Sequence, residues 1–215
     1  MRDKVYSATF GRMFTVWYGA MMRRIDELGL REVRREALGA AGGRTLDLGT
    51  GTGSNLPLFP PGVDELVLAE PDPHMRKVLE RKLAATDGRG AQLIDAPAEN
   101  LPFESGSFDC VSCTMVLCTV PDPAAALGEV ARVLKPGGKL LFLEHVRSED
   151  PVFARRQDRM ERPWRFVADG CHCNRDSLAA IKSSSFEVET LKRGVMPAAP
   201  MFMKPLIYGS ARHAG

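Results

Sequence analysis

The chain contains no apolar run of the length a membrane-crossing helix needs, about 20 residues. Its most apolar early stretch, Phe14 to Met22, is short and bracketed by Arg12, Arg23 and Arg24. The start, Met1-Arg-Asp-Lys, lacks the apolar core and small-residue cleavage site of a secretory signal. Cysteine is sparse and odd in number, five in 215 residues, which excludes a disulfide framework. Charge of one sign is missing too: 29 Lys plus Arg face 27 Asp plus Glu, with no basic stripe, so a nucleic-acid partner is not expected. No solenoid repeat and no low-complexity segment occurs. On these absences a soluble, reduced, cytoplasmic chain without a membrane anchor is expected. What is present is ordinary: 44% hydrophobic residues, enough for the core of one generous domain.

The first thirty residues read as helix. Tyr6, Phe10, Met13, Phe14, Trp17, Met21, Ile25 and Leu28 fall on one stripe, with Val16, Tyr18 and Met22 off it. A second helix, about Arg31 to Leu38, stops at Gly39 and Gly42-Gly43. Strand and helix then alternate. Strands are expected at Arg44 to Leu48, Glu65 to Ala69, Ala91 to Ile94, Phe108 to Cys113 and Lys139 to Val146. Asp72-Pro73, Asp122-Pro123 and Asp150-Pro151 each open a helix, an N-cap followed by proline in the first turn. The tail offers strands at Phe186 to Leu191 and about Met203 to Ala211, with no helix pattern between them. The pattern predicts an α/β fold with a Rossmann-like, doubly wound, seven-stranded, mostly parallel sheet and an antiparallel edge hairpin. Residues 1–40 would form a helical cap and 41–215 the main domain.

The first strand runs into Asp47-Leu-Gly-Thr-Gly-Thr-Gly53, where glycines let the backbone approach a ligand closely. The next strand ends in Glu70, placed where an acid holds ribose hydroxyls. The dinucleotide pattern G-x-G-x-x-G fails in both registers, since Ser54 and Leu56 occupy the sixth positions. No Gly-Lys-Ser or Gly-Lys-Thr follows, so a P-loop is excluded. Asp47 beside the loop suits an ammonium group better than a pyrophosphate. The loop points to a cationic nucleoside.

With Ala98-Glu-Asn-Leu-Pro-Phe103, Ser107-Phe-Asp109 and Val133-Leu-Lys-Pro-Gly-Gly138, these motifs resemble, in order, those of class I S-adenosylmethionine-dependent methyltransferases. The resemblance implies S-adenosyl-L-methionine as cofactor. Gly49, Thr50, Gly51 and Gly53 would pack against its methionine part, with Asp47 near the amino group and Asn55 also among the cofactor-binding residues. Glu70 would hold the ribose, Pro71 and Met75 would flank the adenine, Ala98 and Glu99 would sit at its edge, and Thr114 would line the floor. One departure stands before Ala98: Pro97 occupies a position often held by an acid, and Asp95, Glu99 or backbone atoms would take over its work.

Thr114-Met-Val-Leu-Cys118, Phe142-Leu-Glu-His145, Asp169-Gly-Cys171, Arg175 and Ile207-Tyr-Gly209 are similar to the animal membrane-associated alkyl thiol methyltransferases. The start departs from those relatives, which carry an apolar anchor, so membrane attachment is not carried over. The resemblance implies methyl transfer to a small-molecule thiol, whose thiolate is the reacting form. A base near the acceptor would be an imidazole, His145 or His172, with Asp169 orienting it or taking the proton itself; His145 and Asp169 are the catalytic candidates. His145 could equally cap its strand, and Asp169-Gly170 could be only a turn. Cys171-His-Cys173 has no second ligand pair, so no metal is expected. Cys118, Cys171 and Cys173 together would suit arsenite, a weaker alternative, as are N-, O- or C-methylation and a cofactor-binding regulator without turnover.

Overall fold

A computed structural model describes residues 4–85 and 90–214, with side chains from residue 11 onward. Helix α1 (Lys4–Ile25) passes through a wide turn, Asp26–Leu30, into α2 (Arg31–Leu38). Gly29 breaks the helical path there at φ 126°, a value that favours glycine. The main body then alternates β1 (Gly43–Leu48), β2 (Val63–Ala69), α3 (Pro73–Ala85), β3 (Gln92–Ile94), β4 (Phe108–Thr114), α4 (Pro123–Val133) and β5 (Leu134–His145). It closes with α5 (Pro151–Val167), α6 (Ser177–Lys182), β6 (Phe186–Val195) and β7 (Pro205–His213).

All three aspartate–proline pairs open helices as expected. The Asp72 carboxylate accepts from His74 N and Met75 N, both at 2.9 Å. Asp122 accepts from Ala124 N at 3.0 Å and Ala125 N at 3.1 Å, and Asp150 from Val152 N at 2.7 Å and Phe153 N at 3.0 Å. Helix α6 escaped the sequence reading. Its cap is Asp176, accepting from Ala179 N at 2.9 Å, but no proline follows and the helix has only six residues.

The seven strands lie in the order β3-β2-β1-β4-β5-β7-β6. Strands β1 to β5 pair in parallel, while β7 runs antiparallel to both of its neighbours, β5 and β6. The strand order reverses between β1 and β4, and that switch point opens a crevice at the strand C-termini. The core fills both faces of the sheet, with Leu46, Val111, Phe142 and Val130 on one side and Leu68, Leu79 and Leu141 on the other.

Helix α1 corrects one expectation. Tyr6 and Phe10, assigned to its buried stripe, have side chains outside the described residues. Met13, Trp17 and Leu28 of the same stripe are exposed, whereas Thr15, Gly19, Met22 and Ile25 are buried. The packed face is rotated because small residues let the backbone come close. A Cβ at Gly11 would lie 2.7 Å from the His74 ring, and one at Gly19 would lie 3.7 Å from Thr52. The helix thereby crosses the start of α3 and the glycine loop. Met22, Ile25, Leu30 and Ala37 pack in one apolar cluster with Cys118, Leu143, Cys171 and Met203, so these two helices share their core with the sheet edge.

Candidate active site

A cavity of about 600 Å³ occupies the crevice, roofed by Phe14, Tyr18, Met21 and Ile25 of α1. Its floor and one end are built by the segments that leave β1, β2 and β3: Gly49 and Gly51, then Glu70 to Pro73 with Met75, then Ala96 to Glu99. The other end is lined by Met115, Cys118, His145, Trp164, Asp169, Cys171, Met196 and Met203.

The three loop glycines do different jobs. All have positive φ, at 59°, 60° and 81° for Gly49, Gly51 and Gly53. A Cβ at Gly49 would strike Val116 at 2.7 Å, and one at Gly53 would strike Leu79 at 2.7 Å, so both are fixed by packing. At Gly51 the nearest atoms would be Met75 Sδ and Tyr18 Cε1, each at 3.8 Å. Of the three, Gly51 is the one where a Cβ would meet only ordinary contacts, and it lines the cavity.

Glu70 braces that loop. One carboxylate oxygen accepts from Gly51 N at 2.7 Å and the other from Asp72 N at 2.8 Å. Burial, only partly offset by these bonds, pushes its pKa up to about 7. Each oxygen retains a lone pair for a further donor. The two acids considered as substitutes for the one absent at Pro97 separate clearly. Asp95 is turned out to Arg76 at 2.7 Å, while Glu99 stays on the cavity wall and accepts from Asp122 N at 3.3 Å.

Gly49, Gly51, Glu70, Pro71, Met75, Ala98, Glu99, His145 and Asp169 thus meet around one space. Asp47, Thr50, Gly53, Asn55 and Thr114 stand one layer behind it, a correction to the floor position expected of Thr114. The reason is a buried polar network. Asn55 Nδ2 donates to Asp47 Oδ1 at 2.9 Å and to Thr114 Oγ1 at 2.8 Å, and Ser112 Oγ donates to Asp47 Oδ1 at 2.7 Å. Thr50 Oγ1 donates to the Asp47 carbonyl at 2.9 Å. Arg34 of α2, which the sequence did not single out, is buried and donates to Asn55 Oδ1 at 3.1 Å, Thr114 Oγ1 at 3.3 Å and Asp26 at 3.0 Å. The second Asp47 oxygen is buried without a hydrogen-bond partner among the described residues.

Glu144 is a second residue the sequence left without a role. Fully buried, it accepts from Val116 N at 2.8 Å, Leu117 N at 2.9 Å and Cys118 N at 3.2 Å, and so shapes the loop after β4. Arg175 supports the same loop, donating to the carbonyls of Leu117 at 2.8 Å and Val120 at 2.6 Å. Next in sequence, His145 reaches the cavity, with Nε2 2.9 Å from Cys171 Sγ and Nδ1 buried without a hydrogen-bond partner among the described residues. Burial opposes its protonation, but Cys118 and Glu144 outweigh this and raise its pKa above that of an ordinary imidazole. His172, the other imidazole considered, is turned away from the cavity to Glu161 at 2.9 Å. Cys173 also lies behind the wall, its thiol against the Gln157 carbonyl at 3.5 Å, so the expected trio of Cys118, Cys171 and Cys173 is not formed. Met115 and Asp169, both non-glycine residues at positive φ (59° and 50°), flank the same end of the cavity.

A doubly wound sheet, a glycine loop with an acid at the next strand end and a roofed cavity at the switch point together define a nucleoside-cofactor transferase of methyltransferase type. Residues 46–142 match the family model described as a methyltransferase domain. Thiol S-methyltransferase TMT1B of Homo sapiens is 35% identical over 171 residues, covering 77% of this chain and 69% of that protein. Among solved structures, a putative methyltransferase from Bacillus halodurans C-125 superposes with a TM-score of 0.70 at 20% identity, over 86% of this chain and 98% of the other. Geranyl diphosphate C-methyltransferase from Streptomyces coelicolor A3(2), solved with S-adenosyl-L-homocysteine, gives 0.64 at 13% identity over 85% and 74%. The chain belongs to the methyltransferase family that includes thiol S-methyltransferase TMT1B. Among the described residues no helix is long and apolar enough to cross a membrane.

Proposed function

We propose that this chain transfers the methyl group of S-adenosyl-L-methionine to the sulfur of a small-molecule thiol, giving a methyl thioether. The observation that carries the proposal is the single cavity with two unlike ends, one polar and backbone-lined at Gly51 and Glu70, the other apolar and sulfur-lined at Cys118 and Cys171. The similarity to a thiol S-methyltransferase supports the choice of acceptor.

The residues present fit the cofactor. Gly51 lines the cavity without a Cβ, so a ligand can approach its backbone closely. Glu70, held by two backbone N–H groups, has acceptor capacity left for two ribose hydroxyls. Pro71, Met75 and Ala98 offer apolar walls for a base, and Glu99 an acceptor at its edge. Asp47 leaves a buried carboxylate oxygen without a hydrogen-bond partner among the described residues beneath the loop, where an amino group would come. When bound, S-adenosyl-L-methionine supplies a methyl carbon made electrophilic by its sulfonium.

The protein's own task is alignment, since transfer is an in-line displacement. His145 and Asp169 flank the acceptor end and favour the thiolate, one as base and the other as proton relay. Tyr18, Phe14 and Met21 keep water from the reacting atoms. Residues 1–40 therefore act as a cap on the 41–215 domain. A cytoplasmic setting belongs to the proposal and draws on five free, buried thiols, which a reducing compartment preserves.

Incubation with S-adenosyl-L-methionine and a panel of thiols, amines, phenols and arsenite, read by mass spectrometry, tests the reading. A gain of one methyl on thiols alone is the expected result. Methylation of another acceptor class, with thiols untouched, would discard the thiol while keeping the methyltransferase.

A further inference from the structure

Three side chains at the acceptor end converge from separate parts of the chain: Cys118 after β4, His145 at the end of β5 and Cys171 beyond α5. Their ligand atoms all lie within 4.8 Å of one another, and all three residues are buried on the cavity wall. The surroundings hold them in place. Cys118 N donates to Glu144 Oε2 at 3.2 Å, and His172 N donates to the Cys118 carbonyl at 2.8 Å, which ties the two cysteine segments together. Trp164 Nε1 donates to Cys171 Sγ at 3.4 Å. Simple core packing does not require two thiols and an imidazole to meet on the wall of a cavity.

We propose that Cys118, His145 and Cys171 bind one zinc ion whose fourth position faces the cavity and takes the acceptor thiol. The inference rests on the thiol reading above. Two sulfurs and one nitrogen form a donor set zinc accepts, and three protein ligands with one open position is the arrangement of catalytic rather than structural zinc. Bonds of about 2.3 Å to sulfur and about 2.0 Å to nitrogen space these tetrahedral ligands about 3.5–3.8 Å apart. Small side-chain rotations reach that spacing from the present one, in which Nε2 and Cys171 Sγ are 2.9 Å apart. The expectation of no metal came from searching for ligand pairs along the sequence, and the fold supplies the third ligand from a distant segment.

The chemistry balances without a further reactant. The acceptor R–SH gives its proton to solvent as its sulfur takes the open position. That sulfur then forms a bond to the methyl carbon while the bond from methyl to sulfonium breaks, its electron pair remaining on the leaving sulfur. The products are a neutral methyl thioether, the demethylated cofactor and one proton. A thioether is a weaker ligand than a thiolate, so the product leaves the metal. In this form His145 holds the metal rather than the proton.

The test uses the whole chain, purified reduced, stripped with a chelator and titrated with Co²⁺ as a coloured substitute for zinc. One equivalent should bind with tetrahedral ligand-field bands and thiolate-to-cobalt charge transfer, and 2-mercaptoethanol added without cofactor should shift those bands. Zn²⁺ should displace the colour. Cys118→Ser and Cys171→Ser should each lose charge-transfer intensity and weaken metal binding at least about hundredfold, with S-adenosyl-L-methionine affinity confirming the fold. Wild-type protein without tetrahedral bands, bands that survive both substitutions, or bands indifferent to the thiol would each overturn the inference. Should a serine variant not fold, the wild-type spectrum and its response to thiol still decide. Undiminished thiol methylation by the metal-free enzyme would remove the zinc and leave the thiol reading standing. A thiol-responsive metal site in a protein that methylates only amines or phenols would instead remove the thiol reading.

Discussion

The two ends of the cavity are built in opposite ways. The cofactor end comes from three short segments, each leaving the C-terminus of a neighbouring parallel strand, and its polar contacts run through backbone N–H groups and two acids, Glu70 and Glu99. The acceptor end is assembled from α1, the loop after β4, the tip of β5, the turn after α5 and the β6–β7 connection, and its lining is apolar or sulfur-bearing. One end is a consequence of local strand–loop–helix geometry, which any sequence with this sheet must repeat to bind the same ligand. The other depends on which side chains distant segments deliver, so its specificity can change without disturbing the sheet.

Substitutions should therefore separate the two ends, most sharply at Gly51. Gly51→Val projects side-chain atoms from the loop into the cavity and also strains a position at φ 60°. Cofactor binding should vanish in calorimetry while the folded circular-dichroism spectrum persists. Retained affinity would mean that the ligand does not lie against this loop, and the comparison would lose its first half.

At the acceptor end the effect should fall on turnover alone. His145→Ala and Asp169→Asn should each lower kcat by about hundredfold or more, with cofactor affinity unchanged. If either variant loses cofactor binding instead, the two ends are coupled and the division is wrong. Wild-type rates in both, measured across thiols of different acidity, would exclude both residues from the chemistry.

This asymmetry also explains what could be read in advance. The strands, the three Asp-Pro caps and the glycine loop carry their signals within a few consecutive residues, and the structure reproduces them. The rotated face of α1 was hidden because hydrophobicity favours Met13 and Trp17, whereas close approach favours Gly11 and Gly19. The buried network of Arg34, Asn55, Asp47 and Thr114 was hidden because nothing in Arg31–Leu38 distinguishes one arginine from its neighbours. The meeting of Cys118, His145 and Cys171 depends on tertiary structure, and spacing along the chain pointed instead to Cys173.

A smaller effect is expected from pH at the cofactor end. Burial raises the Glu70 pKa to about 7, so the unliganded site is increasingly protonated below that value. Ribose hydroxyls donate to the ionised carboxylate, so binding favours proton release and the affinity falls as pH drops. The loss should approach tenfold per unit once the pH is well below the unliganded pKa of about 7. Glu70→Gln should flatten the dependence over the same range and weaken binding at high pH. A wild-type affinity that is independent of pH would separate Glu70 from the ribose.

The smallest effect tests the roof, where the two ends meet. Tyr18 lines the cavity from α1, stacked on Phe14 with ring centroids 5.6 Å apart, and lies beside Gly51. Burial pushes its phenol up to about 12, so the hydroxyl stays neutral at working pH and cannot serve as a base. Its contribution must then come from the ring, which covers the cavity and excludes water. Tyr18→Phe keeps that cover and should leave the kinetics unchanged. Tyr18→Ala opens it, and KM for the acceptor should rise several-fold with a smaller fall in kcat. A Tyr18→Phe variant as impaired as Tyr18→Ala would show that the hydroxyl itself positions a ligand, and the roof would then belong to the polar end of the cavity rather than bridging the two.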